Sequence, residues 1–331
     1  MKHSRKDKRP KEGAALIVAL WVLIILSLIV GSFAFEVQLE AMLVSHKRKR
    51  FHAETLARSG VEYARAILDK QGEAKELEIE EMGEEDKDGF MMAALHIKRG
   101  IPHTSEIELG KGSFSVTLES AEGGLNANTL NRDDWTEILE MANMPSTEWD
   151  AMIDCLEDWI DEGDTHKLNG AESDDPFYQE RGYPVKNGPL DSVEELLLVK
   201  NWGEDILYGT DGDDDIDAIF GIADLLTIWG DGRLNMNTAN IDAMRAAGLS
   251  DEEILDIIEA RKGPDGMEGT TDDGLPSDYL GGDSRFKLQS EFVKVTSVGD
   301  MFGNQYKIEC IILNQGRNPT VVFWEEGPVK K

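Results

Sequence analysis

The stretch KEGAALIVALWVLIILSLIVGSFAFE, residues 11–36, holds 22 consecutive uncharged residues, from Ala14 through Phe35. As a helix at about 1.5 Å per residue this run is roughly 33 Å long, enough to cross a hydrocarbon core of about 30 Å. Six basic residues and two acids precede it within the first 13 positions, which by the positive-inside rule holds the N-terminus in the cytoplasm and sends the rest of the chain across. A second basic cluster, HKRKR at 46–50, argues for the opposite orientation. Glu36 and Glu40 separate it from the span, so the first orientation is preferred. A cleaved signal peptide is the other reading, with Ser32-Phe33-Ala34 as its small-residue site, but the apolar run exceeds the usual length of about 7–15 residues.

The charge distribution sets further limits. The chain has 331 residues, 65 acidic against 34 basic, and a formal net charge of -31. A field of that sign repels polyanions, so nucleic acid is not an expected partner. Between Asp133 and Asp283 there are 40 acids and 8 bases, so one internal block carries essentially all of the excess. Cys155 and Cys310 are too few for a disulfide scaffold, and whether they pair is open. Residues 1–331 contain no Walker loop and no H-E-x-x-H. His46, His52 and His166 are scattered, while Trp135, Trp149 and Trp159 fall at helical positions and read as core.

After the span, Val37, Met42, Val44, Phe51, Leu56, Val61, Ala64 and Leu68 recur every three to five residues or so, which predicts a helix continuing to about 68. The alternative is two helices broken near the basic cluster. Residues 71–89 read as a polar loop or weak helix. Residues 112–119 alternate apolar with polar, the mark of a half-buried strand, and similar runs return only at 292–298, 306–313 and 320–324. Gly299-Asp300, Gly303-Asn304 and residues 316–319 supply the turns. One early strand and three late ones predict an antiparallel sheet interrupted by a large insertion.

That insertion contains a repeat. LNANTLN at 125–131 matches LNMNTAN at 234–240; Ser146-Thr147-Glu148-Trp149 resembles Ser250-Asp251-Glu252-Glu253; and LDSVEEL at 190–196 has an echo in LQSEF at 288–292. Asn, Ser and Thr suit helix starts because their side chains accept from the free amides of a first turn. Such units resemble helix-hairpin-helix or SAM-like modules. Their turns lack a clear G-x-G and acids flank them, so reuse of the fold for protein packing is the better account.

The leader Lys11-Glu12-Gly13-Ala14-Ala15 resembles a class III, type IV prepilin signal, cut after Gly13 so that Ala14 becomes the new N-terminus. Most pilin-like proteins carry Glu at the fifth mature position, and here that position is Val18. An intramembrane Glu is costly unless paired, and in such filaments it meets a neighbouring subunit's N-terminal amine. A subunit without it suits a special place in an assembly.

Together with DWIDEGD at 158–164, GAE at 170–172, NGPL at 187–190 and SVEEL at 192–196, these features resemble the minor pseudopilin K family of type II secretion systems. The resemblance implies an α+β fold, a pilin-like long helix on an antiparallel sheet with a large inserted, duplicated all-α domain. It implies a tip position on a periplasmic pseudopilus, with other minor pseudopilins, the prepilin peptidase and the inner-membrane secretion platform as partners, and no catalysis. The expected layout is leader 1–13, membrane helix 14–35, helix and first strand 36–120, insertion 121–290 with repeat units at about 125–205 and 234–290, and remaining strands 291–331. The protein would sit in the inner membrane as a single pass, its C-terminal part periplasmic. A minor pilin of a type IV pilus is the nearest alternative, and a membrane-anchored calcium-binding or helix-hairpin-helix module is another.

Carboxylates on Gly-rich loops suit Ca²⁺, which takes about 6–8 oxygen ligands. Asp161, Asp164, Glu172 and Asp175 fall in one loop between expected helices, and the family resemblance points there to metal as well. Asp211, Asp213 and Asp215 form a second candidate, although Ile216 and Ile222 stand where an EF-hand needs Gly and Glu. Asp265, Asp272 and Asp273 form a third.

Overall fold

A computed structural model of the chain describes residues 12–73, 89–210, 218–267, 273–276, 278–315 and 318–329. Its first element, α1 (Glu12–Glu73), is one unbroken helix of 62 residues, so the two-helix alternative is not realised. Its apolar first half, from Leu16 to Phe35, is exposed along its length. Its second half buries Ala53, Leu56, Ala57, Val61, Ala64, Ile67 and Leu68, a stripe at three- to four-residue spacing that faces a sheet.

The sheet has five antiparallel strands in the order β1 (His103–Leu109), β2 (Gly112–Ser120), β7 (Phe292–Met301), β8 (Asn304–Leu313) and β9 (Thr320–Pro328). Helix α1 lies on it because small residues meet at the contact. A Cβ on Gly60 would strike the Ser297 hydroxyl, and one on Gly299 would strike the Ala53 carbonyl. The Ser297 hydroxyl in turn donates to the Ala57 carbonyl at 2.8 Å. Gly299-Asp300, expected as a turn, therefore lies inside β7; the glycine is there for close packing. The real turn is Phe302-Gly303, with Met301 opposite Asn304.

Two elements ahead of β2 differ from expectation. Helix α2 (Gly89–Lys98) packs on α1, and β1 pairs with β2 at the sheet edge. The sequence HTSEIEL of β1 alternates, but with only two apolar residues it carries little hydrophobic signal. The expectation of a single early strand is thus corrected to two.

Between β2 and β7 lies a mainly helical segment with its own core. It contains β3 (Leu125–Asn126), α3 (Arg132–Met141), α4 (Ser146–Ile160), α5 (Pro176–Arg181), α6 (Glu204–Tyr208), β4 (Leu226–Thr227), β5 (Leu234–Asn235), α7 (Ile241–Ala246), α8 (Asp251–Arg261) and β6 (Phe286–Lys287). Trp135, Ile138, Met152, Trp159, Tyr178, Leu196 and Met244 lie in this core, separate from the one under the sheet. Cys155 belongs to the first core and Cys310 to the second, and both are free thiols.

The two LNxNT motifs make corresponding contacts. Asn126 Oδ1 accepts from Asn128 N, as Asn235 Oδ1 does from Asn237 N, each at 3.0 Å. Asn128 Nδ2 then donates to the Leu190 carbonyl and Asn237 Nδ2 to that of Leu288, at 3.0 and 2.9 Å. Asn131 and Asn240 cap α3 and α7. Ser250 caps α8 with a reciprocal bond from Glu253, but Ser146 does not cap α4, whose N-cap is Pro145.

A buried ion pair ties the insertion to the sheet. Glu122 leaves β2 with 1% exposure; Lys287 returns towards β7 with 9%. Lys287 Nζ meets Glu122 Oε1 at 2.7 Å and Asp231 Oδ1 at 3.0 Å, while Glu122 Oε2 accepts from Glu291 N at 2.7 Å. Two backbone segments joined this way act as one neck, closed further by Ala121 N donating to the Phe292 carbonyl. Lys287→Met should leave Glu122 as an uncompensated buried charge and lower stability by about 3–5 kcal/mol, read as a fall in the urea midpoint of the full chain in detergent. A loss below about 1 kcal/mol would mean that the neck is not held by this pair.

Candidate cation site in the acidic loop

The loop begins where α4 ends. Asp154, Asp158 and Asp161 lie on successive turns, and the two inner ones are satisfied by the protein. Asp154 accepts from Arg132 at 2.7 Å and from both nitrogens of Asn169. Burial opposes its ionisation, but these bonds hold its pKa below the usual carboxylate value. Asp158 is fully buried and accepts the Lys167 amide on both oxygens, at 3.0 and 3.1 Å; burial pushes its pKa up despite that bond. A side chain at Gly170 would collide with the Asp158 carboxylate, which ties the D-W-I-D segment sterically to the G-A-E segment.

Trp159 joins the same segment to the next motif. Its indole N–H donates to Glu195 Oε1 at 2.8 Å, and Glu195 Oε2 accepts from Lys186 Nζ and Asp191 N. The motifs noted in sequence are thus one contact network.

Glu172 differs from its neighbours. It is 4% exposed, and neither carboxylate oxygen has a hydrogen-bond partner. Burial raises its pKa, and Asp158, Asp161, Asp164 and Asp174 add to the rise through their negative charge. A second unpartnered buried oxygen, Asn187 Oδ1, belongs to a residue whose amide nitrogen approaches Asp164 Oδ1 at 3.4 Å. Unpaired buried oxygens in a field of carboxylates are the donor set of a hard cation.

The four residues expected to form a metal site are not all brought together. Asp161, Asp164 and Glu172 are electrostatic neighbours. Asp161 is partly engaged, accepting Gly163 N at 2.9 Å and pairing with Lys167 Nζ at 3.1 Å. Asp175 turns away; it caps α5 through Phe177 N and pairs with Lys200 at 2.7 Å, and these bonds outweigh burial to lower its pKa. Asp158 and Asp174 also bear on Glu172 through their charge, and Asn187 approaches Asp164. Their signal was proximity created by chain reversal, which spacing does not reveal.

For the third candidate, Asp265 accepts Met267 N at 2.8 Å, and Asp273 is buried near His96. Asp272, and the second candidate's Asp211, Asp213 and Asp215, lie outside the described residues. Among the described residues, no three Asp, Glu, His or Cys side chains are already gathered around one point, so the oxygens at Glu172 would have to draw together on an ion.

Glu172→Gln removes a buried charge that nothing offsets in the protein alone. In a chelator, the variant should be more stable than the parent by about 1–3 kcal/mol, seen as a higher melting temperature. A lower one would mean that Glu172 holds a partner this geometry lacks.

Residues 115–208, which contain this loop, match the family model described as type II secretion system (T2SS), protein K. No curated protein matches the chain. Among solved structures, it is similar to a chain of the GspK-GspI-GspJ complex from the enterotoxigenic Escherichia coli type 2 secretion system. The identity is 15%, with 84% of this chain and 99% of that chain covered and a TM-score of 0.50. That likeness concerns the fold, a long N-terminal helix with mixed helix and antiparallel sheet. The matched family is a structural pseudopilin component of the secretion system and not an enzyme. Residues 115–208, which carry these interlocked motifs, are thus similar to protein K of the type II secretion system.

Proposed function

We propose that this protein caps the tip of a type II secretion pseudopilus, anchored in the inner membrane with its body in the periplasm. The supporting observation is the position of the insertion. Asn314, next to the β7 end that leads out of the insertion, donates to the Leu68 carbonyl near the far end of α1. The opposite hairpin ends lie beside Ala53 and Leu56. A bulky second core therefore stands at the end of the body away from the membrane helix, where another subunit would otherwise stack. Val18, in place of an acidic side chain, fits a subunit that adds no charge pairing within the membrane helices.

In this reading the prepilin peptidase cuts after Gly13, Ala14 is then N-methylated, and minor pseudopilins comparable to those in the GspI- and GspJ-containing complex pack below. The secretion platform of the inner membrane delivers the subunit. The insertion, about residues 121–290, is read as a duplicated, SAM-like unit whose paired LNxNT contacts carry packing rather than nucleic acid binding.

Calcium belongs to the same proposal. Glu172 and Asn187 Oδ1, with Asp161 and Asp164, would hold the ion, and its charge would offset the repulsion that burial concentrates there.

Quantitative mass spectrometry of purified pseudopili should find about one copy per filament, with an N-methylated Ala14, whatever the filament length. An amount that scales with length would defeat the tip assignment. For the ion, millimolar Ca²⁺ should raise the melting temperature of the chelator-stripped chain and leave Glu172→Gln unmoved. Equal shifts in both, or none, would remove calcium from this loop.

A further inference from the structure

The end of the sheet that faces the membrane has a composition unlike the rest of the protein. Residues 47–50 of α1 are four consecutive bases, and among the described residues none has an ion-pair partner. Two hairpin tips sit at the same level. The backbone at Gly112, just after the β1–β2 turn, abuts Leu56 and Met301, which brings Lys111 and Leu109 next to the β7–β8 turn. Lys49 Nζ lies 5.9 Å from the centre of the Phe302 ring, and Arg50 is equally far from that of Tyr306. Lys49 and Arg50 thus meet the β7–β8 hairpin, with Lys47, Arg48 and Lys111 on the adjoining stretches. Against them stand Glu108, Asp300, which accepts Gly303 N at 2.9 Å, and Glu54 and Glu326, whose charges reach Tyr306, in a chain of net charge -31.

Phe302 is the second observation. It is 63% exposed, and its φ is +54°. With Gly303 also at positive φ, the turn has the two-residue hairpin form in which Asn-Gly is strongly favoured. A phenylalanine there is strained and gains nothing from burial within the chain. Together with exposed Leu109 and Phe51, it gives this end an aromatic and apolar component beside its bases.

We propose that this end of the body is a docking surface for anionic lipid headgroups, with residues 47–50 and Lys111 drawn to their phosphates and Phe302 facing the headgroup layer. Such surfaces combine aromatic side chains at headgroup depth with basic residues attracted to anionic lipid. The reach is sufficient. From Phe35 to Lys47 is roughly 18 Å along the helix, and headgroups cover roughly 5–7 Å of that. A tilt of about 20° towards the sheet and the length of the side chains bring the bases within a Debye length of about 8 Å. Before assembly, the membrane would hold the body down at its surface; extraction into a filament would release it. The inference rests on the membrane-spanning reading of residues 14–35 and not on the tip position.

The full chain, carrying a dye at Gln305→Cys, would be placed in nanodiscs with acceptor-labelled headgroups. The native thiols are buried, with pKa values pushed up to about 11, so labelling is selective. Energy transfer should be about twofold stronger with phosphatidylglycerol in the disc than with phosphatidylcholine alone, and high salt or Lys47→Glu with Arg48→Glu should abolish the difference. Phe302→Asn should raise the melting temperature, because Asn suits the turn, while weakening transfer. Equal transfer in both lipids, no response to charge reversal, or a destabilised Phe302→Asn would overturn the proposal. Failure to enter discs at all would overturn it together with the membrane anchor.

Discussion

Glu122 and Lys287 decide whether this chain is one body or two. Each lies where the polypeptide crosses between the sheet and the insertion, and each would be a costly isolated charge in the space it occupies. Paired, and with Glu122 also receiving Glu291 N, they fix the spacing of the two crossings. The insertion can then contain a separate core without interrupting the β2–β7 ladder, which pairs Ser120 with Val293 directly beside the neck. Were the neck to open, the sheet would retain its strand order, but the position of the insertion over it would be lost.

The same problem of buried carboxylates is solved differently within the acidic loop. Asp154 meets Arg132, Asp175 meets Lys200, and Asp158 takes an amide made accessible by Gly170. Glu172 meets none of these and is surrounded by like charges. Its neighbours' arrangements show that the loop has bases and amides to spend, so the lack at Glu172 is local and specific. At the other end of the molecule, the four consecutive bases at 47–50 have no ion-pair partner among the described residues. The two ends of the body therefore differ in charge, with carboxylates concentrated at one and bases at the other.

Much of the fold was legible because it rests on period and length. The uncharged run, the stripe from Leu56 to Leu68 and the alternation in β2, β7, β8 and β9 follow from which faces must be apolar. The repeat was legible because matching Asn side chains must satisfy matching backbone groups. Strand β1 was not, since an edge strand built from HTSEIEL buries little. Gly299 was misread as a turn because a glycine needed for positive φ and one needed for a close helix contact are the same letter. In the loop, acidity singles out Asp161, Asp164, Glu172 and Asp175 alike and does not reveal that Asp175 turns away to cap α5. Its role as helix cap and partner of Lys200 depends on a residue 25 positions away.

By itself the sequence determined the membrane-length helix, the sheet with an acidic insertion, and the family motifs, because these follow from local pattern and composition. Only the tertiary structure decided which carboxylate is left without a partner, which charges close the neck, and which bases and aromatics share the end of the sheet beside residues 47–50. Each of those depends on distances between segments far apart in the chain, and electrostatic energy is set by such distances and by burial, not by order along the sequence.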